Sequence, residues 1–381
     1  MSVPRRLSLR DLNRTTLDRQ WLLQRHRATP AKAVGALAGL QAQHANSPYI
    51  AAWSRVRDFD IADLEGALED RSVVKATVVR ATLHIVAAAD FHAFDAAAAE
   101  ARIANWSATA KRAGLDVASL NKALLEYCHE PRTVAEMEAH LDRVAPDSRL
   151  AKHAPAGVRH AAFRIASAGG GLVHVPPSGL WRSHGKPRYI DARVWLPRRR
   201  RPDPSAGLQV AVERYLGAYG PASLADIAKW VGQPRVPKVR AAVEALGVRV
   251  TTALRGPDER ELVDLAAAKV RTGEIQAPVR FLARWDSALI GYDVRDRILP
   301  ADHRAAVVKK NGDFLPTFLV DGFVAGLWTV DEKRGEAVLS IAPFRTVTAS
   351  TRRELEEEAE RLVRFVEPEA TRHGIAWGPA T

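Results

Sequence analysis

Pro131-Arg132-Thr133-Val134-Ala135-Glu136-Met137 recurs in kind 90 residues later as Pro221-Ala222-Ser223-Leu224-Ala225-Asp226-Ile227. Each copy offers a hydroxyl residue to cap a helix and, three positions on, an acid (Glu136 or Asp226) to close a capping box. An apolar-periodic helix precedes each copy and another follows. After Ser223 the apolar positions are Leu224, Ile227, Ala228 and Val231; Gly232 is a stop, and a second helix is expected over 237–246. Strand patterns at 248–254 and 261–265 come next, separated by the polar turn Arg255-Gly256-Pro257-Asp258. Helix, tight turn, helix and strand pair is the order of a winged helix-turn-helix. In the earlier copy 172–175, the turn Pro176-Pro177-Ser178-Gly179 and Leu180-Trp181 supply strand and turn. Any helical protein can carry two capping boxes; it is the shared order of elements that favours a duplication.

A third copy is expected upstream. Thr29-Pro30 is a good helix start, with Thr as cap and Pro in the first turn, and the β-branched run 73–86 is its candidate wing. Arg198 to Arg201, with Pro202 and Pro204, reads as a linker between the second and third units. From about residue 276 short strands replace helices, at 279–282, 318–320, 323–328 and 337–341, with Asp321-Gly322 a strong hairpin turn. A charged helix over 351–366 follows. The expected fold is α+β: three tandem winged helix-turn-helix units at 1–110, 111–202 and 203–275, then a β-rich, barrel-like domain at 276–381.

At 381 residues the chain has room for two to four domains of roughly 100–200 residues each. Its 47% hydrophobic and 26% charged composition excludes general disorder. The net charge of +12 favours a polyanionic partner, nucleic acid or acidic membrane, although a basic surface can serve solubility alone. Residues 1–30 contribute +5 and residues 178–201 contribute +7, which accounts for the whole excess. Arginine supplies 44 of the 56 basic residues and alanine is abundant, a bias that a high-GC genome also produces. With Cys128 the only cysteine, no disulfide framework, zinc ribbon or iron–sulfur cluster can form. No apolar run approaches the roughly 20 residues of a membrane span, and the basic N-terminus lacks the apolar core of a secretory signal. A cytoplasmic location is expected.

Motifs for phosphate loops, metal sites and nucleophile elbows are missing. Gly169-Gly170-Gly171 has neither the lysine nor the spacing of a phosphate loop, and the 12 histidines are scattered. Attention falls instead on Gln41-Ala42-Gln43, followed by His44, Asn46, Pro48 and Tyr49. A helix burying Val34, Leu37 and Ala38 would carry Gln41 on the same face, and a polar residue on a core stripe needs partners. If the helix persisted Gln43 would point away, so the two glutamines converge only if the chain unwinds nearby. The plain alternative is that one glutamine ends the helix and the other is exposed. On an extended 78–86, Arg80, Thr82 and His84 would share one face, suited to phosphate or base contacts or simply to solvent. Trp181, Arg182, His184, Lys186, Arg188, Tyr189, Arg193 and Trp195 interleave bases and aromatics about Gly185-Lys186-Pro187. That pattern fits a hairpin tip gripping DNA, or else a solvated charged face.

Gly39-Leu40-Gln41-Ala42-Gln43, with Pro48-Tyr49 and Trp53, resembles the AlkZ/YcaQ-like family of winged-helix DNA glycosylases. So do Val79-Arg80-Ala81-Thr82-Leu83-His84, Trp181-Arg182-Ser183-His184-Gly185 and Arg295-Asp296-Arg297. Asn311-Gly312, Pro316-Thr317, Val320-Asp321-Gly322 and Trp328 carry the resemblance to nearly the full length of the chain. Gln-x-Gln is similar to the AlkZ branch, whereas the YcaQ branch has Gln-x-Asp. The chain departs at Tyr292 and Val294, where the family has His and Asp.

The resemblance implies three tandem winged-helix units closed by a β-rich domain, with double-stranded DNA carrying alkylated purines in a basic channel. It implies hydrolysis of the N-glycosidic bond of N7-alkylpurines, bulky adducts or interstrand crosslinks, in repair or in self-resistance to an alkylating natural product. Gln41 and Gln43 are then the candidate catalytic residues. His44, Asn46, Arg80, Thr82, His84, Arg182, His184, Lys186 and Arg188 are the candidate DNA contacts. N7-alkylation makes guanine a cationic leaving group, so two neutral amides that position water suffice where normal guanine would need more help. A monomeric, monofunctional enzyme without metal or cofactor is expected. The rival readings are a winged-helix transcriptional regulator, which should show a dimer helix for palindromic sites, and an RNA-binding module.

Overall fold

The computed structural model describes residues 4–183, 185–197, 199–233 and 235–378. The protein is mixed α+β. Among the described residues it contains three small three-stranded sheets, each set against helices, and one five-stranded sheet near the C-terminus. Both capping boxes read from the sequence form. Thr133 and Ser223 each cap the helix that follows, Val134–Val144 and Leu224–Val231, and each receives the expected acid in a closed capping box. Gly232 ends the second of these helices at φ +82°, and Val236–Ala245 follows as expected. The pairing just ahead of the caps also recurs. Arg132 pairs antiparallel with Tyr189, and Ala222, its counterpart in the repeat, forms an antiparallel bridge with Val263.

The first small sheet runs Leu40–Gln41, Leu83–Ala87, Val73–Thr77, antiparallel throughout. The second runs Arg132–Thr133, Arg188–Asp191, Leu172–Val175. In the third, the hairpin Val250–Arg255 and Glu261–Leu265 gains a parallel edge strand from Arg5–Arg6, at the far end of the sequence. The large sheet is ordered Arg280–Leu282, Thr317–Val320, Phe323–Lys333, Glu336–Pro343, Arg372–Trp377.

Several expectations are corrected. The C-terminal sheet is open and does not close into a barrel: its outer strands, Arg280–Leu282 and Arg372–Trp377, do not pair with each other. Helix Ala349–Val366 covers the sheet instead and buries Leu355, Ala359, Leu362 and Val363. The stretch 78–86 is not one strand, because the chain breaks at a short 3-10 turn, Val79–Ala81, with Arg80 at φ +54°. The partner of Leu172–Val175 is Arg188–Asp191, so Leu180-Trp181 lie in the connecting loop. Residues 199–203 carry no regular element, as the linker reading expects, and Asp203 then caps Pro204–Tyr219, with Pro204 in its first turn. Arg198 lies outside the described residues.

That helix is packed closely along Ala88–Ala113, the longest helix of the chain. A Cβ added to Gly207 would stand 2.8 Å from the Ala93 carbonyl oxygen and 2.9 Å from Ala96 Cβ, so the interface admits only the smallest side chains. The alanine run thus has a structural use. One apolar core joins Val78 and Phe94 to Val173 and Ile190, and to Tyr215, Tyr219, Trp230 and Tyr292. Another joins Leu37, Tyr49 and Leu64 to Phe318, Trp328 and Leu339 of the C-terminal sheet.

Six of the N-terminal arginines meet carboxylates from other parts of the chain, in buried positions at Arg14 and Arg19 and in exposed ones at Arg6 and Arg27. Arg6 pairs with Glu259, Arg10 and Arg14 with Asp321, Arg19 with Asp264, Arg25 with Glu358 and Arg27 with Asp58. The +5 of residues 1–30 is largely matched by carboxylates elsewhere in the chain.

Candidate active site

The helix begun by Thr29 ends at Ala36, five residues short of Gln41. Ala38 (φ +56°) and Gly39 (φ +99°) reverse the chain, and Leu40–Gln41 leaves as a strand. Gly39 is required here for space as well as conformation, since a Cβ would meet Val86 Cγ1 at 3.1 Å and the Ile85 carbonyl oxygen at 3.3 Å. Leu40 then pairs with Ile85 and Gln41 with His84, and the Ala42 amide donates to the Leu83 carbonyl at 2.8 Å. On extended backbone residues two apart point to the same side. Gln41 and Gln43 therefore meet: Gln41 Nε2 donates to Gln43 Oε1 at 2.7 Å. Gln41 is 3% exposed, whereas Gln43 is exposed to solvent.

Two further side chains complete the cluster. Arg80 Nη2 donates to Gln41 Oε1 at 3.0 Å and lies 3.3 Å from His84 Nε2. His84 Nδ1 donates to the Thr82 carbonyl at 3.1 Å, which leaves Nε2 bare as the acceptor for Arg80. Burial, reinforced by the Arg80 charge, pushes the His84 imidazole down to about 3, so it is neutral under working conditions. Burial likewise lowers the half-buried Arg80 guanidinium to about 10, still charged at neutral pH. Arginine can only donate, so the Gln41 atom facing it must be the oxygen, and this fixes the orientation of both amides. Gln43 is left with one oxygen lone pair and its whole NH2 group free.

Gln43 and Thr82 open on a cleft of about 410 Å³ walled by Trp106, Phe163 and Tyr189. Among the described residues of its lining the only carboxylate is Asp95, which is buried and paired with Arg102 at 2.6 Å and with Arg201 at 2.8 Å. No lysine lines it among the described residues, and burial raises the Tyr189 phenol to about 12. The cleft thus offers amides, aromatics, the His160 imidazole, Arg102 and Arg164, and a neutralised carboxylate, with neither a free carboxylate base nor an amine nucleophile among its described residues. Sequence reasoning missed this floor. The available signal was Asp95 and Arg102, two opposite charges seven apart on one face of an alanine helix.

The remaining candidates are spread. His44, Asn46 and Arg182 line a second cleft of about 350 Å³, with Arg284 and Trp328. Burial and nearby Arg284 hold the His44 imidazole below its ordinary range, opposed by Asp313. Arg182 donates to the Val366 carbonyl at 2.7 Å and pairs with Glu367. Lys186 and Arg188 are exposed, and Arg188 donates to the Pro131 carbonyl at 2.9 Å. His184 lies outside the described residues. Tyr292, one of the two departures from the family pattern, is fully buried; its hydroxyl donates to the Tyr219 carbonyl at 2.7 Å.

The buried histidines set an acid limit on stability. His84 and His174 are both held at about 3 by burial, well below the 6.5 of an exposed imidazole. Below pH 6.5 the unfolded chain binds protons that the native sites refuse, so stability falls as pH drops towards 3. Each site contributes a slope of up to about 1.4 kcal/mol per pH unit. His174→Gln should flatten the dependence by one such increment between pH 6 and 4, as measured by urea unfolding. Parallel curves for the two proteins would contradict it.

A match to the family described as DNA glycosylase AlkZ-like covers residues 34–365. An interstrand DNA cross-link repair glycosylase of Streptomyces sahachiroi is 23% identical over 362 residues, which are 91% of this chain and 94% of that protein. The solved structure of Streptomyces sahachiroi DNA glycosylase AlkZ superposes with a TM-score of 0.80 at 21% identity, covering 98% of this chain and 100% of that one.

Proposed function

The chain belongs to the AlkZ-like family of DNA glycosylases, and from that premise we propose that it hydrolyses the N-glycosidic bond of N7-alkylated purines in double-stranded DNA. Bulky adducts and interstrand crosslinks are its preferred lesions, in repair or in self-resistance to an alkylating natural product. The carrying observation is the Gln41–Gln43 pair, held in one orientation at the edge of a cleft without a free carboxylate. An N7-alkylguanine already bears the positive charge that makes it depart, so the protein need only place water and stabilise the sugar as it becomes oxocarbenium-like. Gln43 Oε1 has a lone pair with which to accept a hydrogen bond from that water and orient it, and its NH2 group can bind a sugar or phosphate oxygen. Gln41 acts from behind, fixing Gln43. An amide is a very weak base, which spares normal guanine.

The three sheet-and-helix segments are read as tandem winged-helix units over 1–110, 111–202 and 203–275, with the open-sheet unit over 276–381. The enzyme is taken to act as a monomer on cytoplasmic, nucleoid-associated DNA. His44, Asn46, Thr82, Arg182, Lys186 and Arg188 are its proposed contacts to the duplex. Exposed Lys186 and Arg188 have no carboxylate partner among the described residues and are the best placed to release counterions. Lys186→Glu should weaken duplex binding and lower the slope of log K against log salt by about one, as titrations at several salt concentrations would show. Arg182→Glu should do less, because Glu367 already holds that charge.

The direct test is a duplex carrying a bulky N7-guanine adduct, beside a crosslinked duplex and a 7-methylguanine duplex. Mass spectrometry should find the modified base released and an abasic site left behind. Binding with no release from any of the three would overturn the reading.

A further inference from the structure

We propose that Arg80 is a positioning residue for the Gln41–Gln43 pair, acting through Gln41 from inside the fold instead of gripping DNA. The inference rests on the reading of that pair as the reacting end of the site. Arg80 does not line the cleft that Gln43 lines; Gln41 stands between them. Its Nη2 carries two hydrogens and has two acceptors, Gln41 Oε1 at 3.0 Å and His84 Nε2 at 3.3 Å. The second acceptor exists only because His84 is kept neutral and Thr82 occupies its other nitrogen.

The backbone is bent to make this contact. Arg80 and Ala81 both lie in the left-handed region, at φ +54° and +55°, where a residue with a Cβ is disfavoured. Surrounding structure enforces the bend. Thr82 Oγ1 donates to the Val79 carbonyl at 3.0 Å, and Gly232, from a helix end about 150 residues away, approaches so closely that a Cβ on it would stand 2.9 Å from Arg80 Cα. An arginine serving only to meet phosphate needs none of this, and strained backbone held by distant packing marks a constrained site.

The chemical consequence is a polarised relay. The guanidinium draws on the Gln41 oxygen, which strengthens Gln41 Nε2 as a donor to Gln43 Oε1 and holds the Gln43 NH2 towards the cleft. The positive charge stays one side chain back from the sugar, where an oxocarbenium-like centre would be repelled by a cation at contact.

The test is a double-mutant cycle of Arg80→Met and Gln41→Ala, read by single-turnover excision from the adducted duplex and by duplex binding across salt concentrations. Arg80→Met should slow excision at least about tenfold with Kd and salt slope unchanged, and the double variant should be no slower than Gln41→Ala alone. Losses that multiply, a reduced salt slope, or a lowered Tm with excision intact would each overturn the proposal. If Arg80→Met fails to fold, Arg80→Lys keeps the charge on a shorter side chain without the planar guanidinium that fixes the donor at Gln41, and the same cycle applies. Unaltered excision in Gln41→Ala overturns both this proposal and the reading beneath it. A slow Gln41→Ala beside an unaltered Arg80 variant overturns this one alone.

Discussion

Replacing Gln43 by alanine lowers single-turnover excision of a bulky N7-guanine adduct by about 10²–10³-fold, the scale for losing one preorganised group that acts on the transition state. The Kd for the same duplex should stay within about twofold, because the duplex is held mainly through its phosphates. Gln41→Ala should cost nearly as much although Gln41 is buried, since without its Nε2 the Gln43 amide is free to turn. Gln43→Glu makes a sharper comparison. A carboxylate can still accept from Gln41 and hold a water, so this variant should lose less than alanine does. Quench-flow or gel analysis of abasic-site formation measures all three. Wild-type rates in both alanine variants would dismiss the pair as the reacting groups.

Asp286→Ala is expected to cost about 3–5 kcal/mol of stability, the largest loss for any single substitution considered, because it strands a buried charge. Arg55 and Asp286 have no exposed side-chain surface, and two bonds of 2.7 and 2.9 Å join them. Asp286 Oδ1 also accepts from the Ala288 amide at 2.9 Å and so caps the short helix Ser287–Ile290. The pair ties the segment carrying the glutamines to the C-terminal segment, 231 residues away. Urea unfolding should show a lower midpoint at an unchanged slope. A loss under about 1 kcal/mol would mean that water reaches Arg55 once the aspartate is removed.

What the sequence discloses follows the range over which each feature is decided. The boxes at Thr133 and Ser223, the stop at Gly232, the start at Thr29-Pro30 and the turn at Asp321-Gly322 are settled within a few residues, and all are present. The break at Arg80 is not local. Residues 78–86 read as strand because they are β-branched and alternating, and the left-handed bend is imposed by packing against Gly232. The strand Arg372–Trp377 escaped notice for a related reason, since it exists through parallel pairing with Glu336–Pro343. At the site, the glutamines and Arg80 were legible as residue types, and the sequence left open whether they met. Their meeting depends on an early helix end at Ala36 that only Gly39 foreshadows. Charge is the least legible, because summing it along the chain cannot reveal that Arg14 meets Asp321 or that Arg19 meets Asp264.

The edge strand Arg5–Arg6, paired with Leu254 and Arg255, bears on biosynthesis. During synthesis this strand has no partner until the chain some 250 residues further on has been made. Leu7 and Leu12, which pack against Leu254 and Leu262, stay bare for that whole interval. Contacts so distant in sequence form late and slow folding. The segment Arg5–Leu12 is therefore among the last to reach its native contacts. A circular permutant that places residues 4–20 after the C-terminus would shorten the wait.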